Sequence, residues 1–175
     1  MKPLREVALA YMALSDAERQ LRDGSCDEAI GSCRKAMQIS RTIPAEEAFD
    51  HDGFDAFCHA TLSDAFGRIG RFDECLQSAD KALRYFNRRG ELNQDAGKLW
   101  ITAVFSRALA LEALGSLGEA LEEFRKAAEM LAERKGEMPR KELMQSTARE
   151  RIERLQNARK PEKPSGYRAW WEFWS

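Results

Sequence analysis

The stretch "LSDAFGRIGRFDECLQSADKAL", residues 62–83, contains a pattern that recurs on both sides of it in the chain. Its Gly70 aligns with a glycine 46 residues earlier and with another 45 residues later. Residues of similar size follow each glycine at fixed distances, with no gap inside the pattern. The aligned columns are Gly24, Gly70 and Gly115; Cys26, Phe72 and Leu117; Ala29, Cys75 and Ala120; Cys33, Ala79 and Phe124; and Ala36, Ala82 and Ala127. A fixed period of this length indicates a repeat protein.

Each residue type in the pattern has a structural reason. A glycine ends a helix well because it adopts a left-handed conformation without a Cβ penalty. Small residues let two helices approach closely, and the larger residues between them fill the space that remains. The pattern therefore predicts three helix-turn-helix units. The alternative is an ordinary helix bundle with accidental alanine spacing, and five matching columns in three copies argue against it.

The string at 62–83 resembles the consensus of the tetratricopeptide repeat (TPR) family. The resemblance implies an all-α fold, a right-handed superhelix of three antiparallel helix pairs closed by a C-terminal capping helix. The family period is about 34 residues, so each unit here carries about 11 or 12 additional residues. The chain is therefore similar to TPR proteins with elongated repeats. Such a protein is expected to be a non-enzymatic protein–protein interaction module without a cofactor.

The periodicity also predicts how the chain is divided. A TPR domain is predicted over residues 1–159, followed by a linker at 160–166 and an aromatic tail at 167–175. The repeats are predicted near 8–41, 54–87 and 99–132, and the capping helix at 139–159. The seven helices are predicted at 3–22, 26–43, 53–69, 72–89, 94–114, 117–135 and 139–159.

Single residues suggest where these helices begin and end. Pro44 is predicted to end or kink the second helix. Asp52 is predicted to cap the start of the third helix and Asn93 the start of the fifth. Gly90 is predicted to stop the fourth helix, and Pro139 to lie in the first turn of the seventh.

Composition and charge limit the compartment and the partners. No apolar run reaches signal-peptide or membrane-span length, and the four cysteines are few and widely spaced, which predicts reduced thiols and a cytoplasmic protein. Residues 1–133 carry 17 basic and 23 acidic residues, whereas residues 134–168 carry 11 basic and 5 acidic residues. The excess of basic residues at 134–168 favours nucleic-acid binding if charge alone is considered. The arginines in that range alternate with glutamates and the body is acidic, so no nucleic-acid partner is predicted.

Metal or enzymatic chemistry is a further alternative. His51, Cys58 and His59 lie close in sequence and could form a ligand cluster. His59 also falls where TPR repeats place a bulky residue between helices, and cysteines in the repeat columns are typical small buried residues. The chain contains no catalytic or phosphate-binding motif. We therefore predict no metal and no enzymatic activity, with a site built on His51 and His59 as the alternative.

The TPR resemblance implies a concave groove lined by the first helix of each repeat. Chaperone-binding TPR domains hold a C-terminal carboxylate with Lys and Asn side chains at positions in this groove. In this chain the corresponding positions hold neither Lys nor Asn. The groove is expected to bind an apolar partner with basic flanking residues. The alternative for its aromatic residues is that they only pack between helices. The predicted groove residues are Tyr11, Leu14, Glu18, Phe57, Asp64, Arg68, Phe105 and Leu109.

The tail at 167–175 carries three of the four tryptophans of the chain. Its aromatic residues Tyr167, Trp170, Trp171 and Trp174 have the spacing of one helical face. Four large rings exposed to water are an aggregation hazard, so the tail is expected to be covered. Four alternatives remain: the protein's own groove, a second copy in a homodimer, a different partner, and a membrane interface for which the tail is an anchor.

Overall fold

The computed structural model describes residues 4–90 and 93–159, and these two ranges form seven helices without any strand. The all-α fold class is confirmed. The predicted linker and the tail residues Tyr167, Trp170, Trp171 and Trp174 lie outside the described residues. The helices are α1 (Leu4–Arg22), α2 (Cys26–Ser40), α3 (His51–Arg68), α4 (Phe72–Arg89), α5 (Gln94–Ala113), α6 (Leu117–Glu133) and α7 (Lys141–Arg159).

The three aligned glycines form the same turn within each helix pair. Gly24, Gly70 and Gly115 have φ values of 82°, 78° and 87°, a conformation that favours glycine. In each turn the residue after the glycine donates its N–H to the carbonyl five residues earlier, over 2.8–2.9 Å. This hydrogen bond closes the end of the first helix and directs the chain into the second.

The start of α3 differs from the sequence prediction. Asp50, and not Asp52, is the N-cap, because its carboxylate accepts the N–H of Gly53 at 2.9 Å. The helix consequently begins at His51, two residues earlier than predicted. The prediction for α5 is confirmed, since the side-chain oxygen of Asn93 accepts the N–H of Ala96 at 2.8 Å.

Other helix ends also differ from their predicted positions, and α6 ends at Glu133 instead of at 135. Helix α2 ends at Ser40 and is followed by turns, so it stops before Pro44 is reached. Helix α7 begins at Lys141 and not at Pro139. Its late start follows from Arg140, whose φ of 62° lies in the left-handed region and cannot continue an α-helix.

The repeat columns form the core of the helix stack. The alanines in the last column, Ala36, Ala82 and Ala127, are fully buried, so the helices pack closely there. Helices α1, α3 and α5 pair with α2, α4 and α6, helix α3 also contacts α1 and α5, and α7 packs on α6. The core has two clusters of buried side chains, and Phe57 and Leu76 pack against both. The inner helices α1, α3 and α5 therefore lie side by side on one face.

Candidate functional site

A groove of about 1000 Å³ lies between α1, α3, α5 and the loop that joins α6 to α7. It has a mixed lining of aromatic, aliphatic and charged side chains. Seven of the eight groove residues predicted from the sequence line it: Tyr11, Leu14, Glu18, Phe57, Asp64, Arg68 and Phe105.

The aromatic residues of the groove differ in how much surface they offer to a ligand. Tyr11 remains 47% exposed while its ring meets Phe54 edge-on, with ring centroids 5.0 Å apart. Phe57 is half-buried and stacks on Phe86. Phe105 is only 6% exposed, so it mainly packs between helices and offers little surface to a ligand. Tyr11 and Phe57 therefore provide most of the accessible aromatic surface.

Asp64 is already paired within the protein. Arg68, one turn later on α3, donates Nε and Nη2 to the two carboxylate oxygens of Asp64 at 2.9 and 2.7 Å. The same guanidinium donates Nη1 to the carbonyl of Leu21 at 2.6 Å, which ties α3 to the end of α1. Arg140 adds a further contact to Asp64 at 3.2 Å. Asp64 thus lines the groove as predicted, with Arg68 and Arg140 paired to its carboxylate oxygens.

The groove has three acidic residues, and Asp64 and Asp95 are paired with Arg68 and Lys98, which leaves Glu18. Within the described part of the chain it forms no ion pair and accepts no side-chain hydrogen bond. Burial raises the pKa of Glu18; Arg22 and Lys98 oppose this effect and Asp95 adds to it. A half-buried carboxylate of this kind is stabilised when a ligand brings a hydrogen-bond donor or a positive charge.

The α6–α7 loop and the start of α7 complete the groove, and sequence reasoning missed them. Met138, Pro139, Arg140 and Met144 line it beside residues of the inner helices. Met138 and Met144 are nearly buried, at 8% and 4% exposure. The sequence gives one weak signal, since Pro139 marks a helix start, but it does not indicate that this loop folds over the inner helices.

Leu109 does not lie in the groove with the other predicted residues. It lines a second cavity of about 560 Å³, between the end of α5 and the second half of α7. Glu112, one turn further along α5, is held by Arg151 at 3.1 Å and by Arg154. These ion pairs connect α7 to the end of α5, and Leu109 lines the cavity beside them instead of the groove. The other residues of the second cavity are Gly67, Phe72, Ala113, Leu117, Leu155 and Ala158.

The histidines do not form a ligand cluster. His51 and His59 lie eight residues apart on α3, about 12 Å along its axis. His51 packs edge-on against Phe49, and burial, assisted by Lys81, lowers the pKa of His59. No group of three His, Cys, Asp or Glu side chains able to hold a metal ion occurs in the described residues.

The cysteines behave as core residues. Cys26, Cys33, Cys58 and Cys75 are all buried and free of disulfides. Burial raises the pKa of Cys33 and of Cys75 to about 12, so these thiols remain protonated at neutral pH.

The seven helices also include none that is long and apolar enough to cross a membrane.

The chain is similar to solved TPR structures along most of its length. A TPR-like protein from Chlorobium tepidum TLS is 64% identical, with a TM-score of 0.84, over 89% of this chain and 99% of that chain. The C-terminal TPR-containing domain of a Plasmodium falciparum protein described as FK506-binding is 17% identical, with a TM-score of 0.62, over 91% and 97%. The second TPR domain of human RPAP3 is 15% identical, with a TM-score of 0.56, over 86% and 98%.

The family comparison covers the same region. No curated protein shows significant similarity to the chain. Residues 2–144 match the family described as Domain of Unknown Function (DUF3856). The helix pairs, their glycine turns and the similarity to the Chlorobium protein agree on a TPR-like superhelix. The chain therefore belongs to the DUF3856 family and has the TPR-like fold.

Proposed function

We propose that this protein is a non-enzymatic interaction module that binds a peptide or a helix of a partner protein in the groove between α1, α3 and α5. One observation carries the proposal: the groove combines accessible aromatic surface at Tyr11 and Phe57 with the carboxylate of Glu18, which has no ion pair among the described residues. The structure of the second RPAP3 TPR domain is a complex with an HSP70 peptide, SGPTIEEVD. A TPR domain of similar fold therefore binds a peptide.

The chemistry of the groove favours a partner segment with apolar side chains and at least one Lys or Arg. Apolar side chains would cover the rings of Tyr11 and Phe57, and buried aromatic contacts supply much of the affinity of protein interfaces. A basic residue near Glu18 would offset the cost of burying that carboxylate. Asp64 is paired with Arg68 and Arg140, and Asp95, the third acid of the groove, is paired with Lys98. Glu18 is therefore the acid that selects the basic residue.

Selection from a library of random linear peptides tests this proposal. The protein is immobilised, peptides are selected from a displayed library, and the winners are measured by calorimetry. We expect apolar sequences containing Lys or Arg, and binding about tenfold weaker for Tyr11→Ala. Met12→Ala is the matched control, because Met12 is the next residue on α1, is 62% exposed and does not line the groove.

A second variant tests the role of Glu18. Glu18→Gln keeps the shape of the side chain and removes its charge. It should therefore weaken the binding of peptides that contain a basic residue and leave the binding of uncharged peptides unchanged. Peptides that bind Tyr11→Ala and Met12→Ala equally well would place the binding surface outside the groove. Equal binding of a basic peptide to the Glu18→Gln and unchanged proteins would refute the assigned selectivity.

A further inference from the structure

The second cavity is surrounded by apolar side chains that remain open to water. Leu117, in its lining, is 44% exposed. Leu114, directly after the lining residue Ala113, is 43% exposed, and Ile69, close to Gly67, is 37% exposed. These residues lie at the α3–α4 and α5–α6 turns, so two adjacent helix pairs contribute to one apolar surface. Exposed apolar surfaces of this kind commonly mark interaction sites.

The polar groups of this cavity are largely paired with one another. The carboxylate of Glu112 is held by Arg151 and Arg154, and its side chain is only 10% exposed. An incoming ligand therefore meets mainly the side chains of Leu109, Leu117 and Phe72. The cavity volume of about 560 Å³ is within the usual range of ligand pockets. Its chemistry fits aromatic or aliphatic side chains better than a charged peptide.

Helix α7 ends at this surface. Leu155 and Ala158 line the cavity, and Arg159 is the last residue of the helix. The chain continues from Arg159 through 160–166, a segment that contains two prolines, to the aromatic residues at 167–174. Seven residues can extend over about 22 Å. The aromatic segment therefore starts within reach of the second cavity.

The groove between α1, α3 and α5 is much less accessible to the same segment. It touches α7 at Met144, whereas the segment departs from Arg159. Fifteen residues of α-helix separate these positions, which corresponds to about 22 Å along the axis. The full extended length of residues 160–166 would only span the distance back along α7 from Arg159 to Met144. The aromatic residues would therefore reach only the edge of the groove.

We propose that residues 167–174 dock in cis on the second cavity, with aromatic rings of the stripe Tyr167, Trp170, Trp171 and Trp174 covering Leu109, Leu114 and Leu117. Rings of this size bury about 150–250 Å² each, enough to cover the apolar side chains around the cavity. Docking at this position leaves the groove free for a partner. The inference is independent of the function proposed for the groove.

Quenching of tail fluorescence tests the proposal in the chain of residues 1–175. Trp100 is the one tryptophan outside the tail, so Trp100→Phe leaves Trp170, Trp171 and Trp174 as the reporters. We expect acrylamide to quench them poorly. Adding Leu117→Asp should raise the quenching constant by about twofold or more, because the rings leave the cavity for water. Leu117 begins α6, where an acidic residue is compatible with the helix dipole.

Tyr11→Asp is the matched control, because it introduces the same charge in the groove instead of at the second cavity. Tyr11 is similarly exposed, at 47%. It should leave the quenching constant unchanged. Loss of protection in Tyr11→Asp and not in Leu117→Asp would place the tail in the groove and overturn the proposal. Protection that disappears on dilution would assign the tail to a second copy. Full quenching in the parent protein would show that the tail is not docked.

Hydrogen–deuterium exchange gives a measurement that does not depend on Trp100→Phe. The native sequence is compared with a chain that ends at Arg159. Removal of residues 160–175 should accelerate exchange around 109–118 and leave 11–22, on α1, unchanged. Identical exchange at 109–118 in both chains would contradict docking on the second cavity.

Discussion

The guanidinium of Arg140 lies 3.2 Å from the carboxylate of Asp64, a contact between residues 76 positions apart in the chain. It fixes the α6–α7 loop to the middle inner helix and so closes one side of the groove. Arg140 is also the only non-glycine with a positive φ in the described ranges, at 62°. A left-handed conformation is unfavourable for arginine, and the surrounding contacts must hold it there.

The two partners of this contact should differ in their effect on stability. Asp64→Asn should lower the free energy of unfolding by about 1–3 kcal/mol, because it loosens Arg68, which links α3 to Leu21. Arg140→Ala should cost about 0–1 kcal/mol, since its pair with Asp64 is partly exposed to water. Urea denaturation of both variants measures the difference. A larger loss for Arg140→Ala would show that the loop contact, and not the link to α1, is the main role of Asp64.

Glu18 should make the stability of the protein depend on pH. Burial raises its pKa above the ordinary value, so its contribution to stability is fully present below about pH 4.3 and is lost as the pH rises through the folded pKa. Glu18→Gln should therefore raise the melting temperature near pH 7 by about 1–2 °C, a small effect because water screens the half-exposed carboxylate.

The difference between Glu18→Gln and the parent protein should decrease as the pH is lowered to about 4. Thermal unfolding followed by circular dichroism at several pH values provides the measurement. A difference that stays constant over this range would mean that the charge of Glu18 is not the cause.

Chaperone tails that end in Glu-Glu-Val-Asp should not bind this groove measurably at physiological salt. The positions at which the carboxylate clamp is expected from the repeat spacing hold Leu14, Glu18, Ala60, Asp64, Phe105 and Leu109. Glu18 would repel an acidic peptide, and the arginines nearest to Asp64 are already engaged with it. Calorimetric titration with the peptide SGPTIEEVD, using the second RPAP3 TPR domain as the positive control, measures this. Tight binding that requires the peptide carboxylate would contradict the prediction.

The close approach of the paired helices should make the alanine column intolerant of larger side chains. Ala82→Leu should reduce stability by about 1–3 kcal/mol, because Ala82 is fully buried and the additional atoms force the helices apart. Ala132→Leu, at an exposed position on α6, is the control and should change stability by less than about 0.5 kcal/mol. Equal unfolding midpoints in urea for the two variants would show that space remains around Ala82.

The cysteines should be unreactive in the folded protein. Burial raises the pKa of Cys33 and Cys75 to about 12, and the thiolate is the nucleophilic form. Ellman's reagent near pH 8 should react slowly with the native protein and rapidly with all four thiols in denaturant. Rapid native reaction of Cys33 or Cys75, identified by mass spectrometry, would indicate frequent opening of the helix pairs.

Local chemistry alone determined the number of helices and the glycine turn within each helix pair. The glycine columns predict three turns, and Gly24, Gly70 and Gly115 all adopt the left-handed conformation that ends a helix. Asn93 was recognisable as a cap for the same reason, since a cap acts over three residues. The start of α3 was misplaced because Asp50 and Asp52 are equally suitable caps by residue type, and only backbone geometry selects Asp50.

Only the tertiary structure decided where the groove ends and which charges in it are free. Repeat spacing places Leu109 on the inner face of α5 with the groove residues, but in the fold it lines a separate cavity together with Leu155 and Ala158 of α7. Asp64 pairs locally with Arg68, one turn later on α3, but its second partner Arg140 reaches it through a loop whose path no local pattern specifies. Periodic spacing fixes which side chains share a helix face, whereas contacts between distant segments depend on how the helices stack.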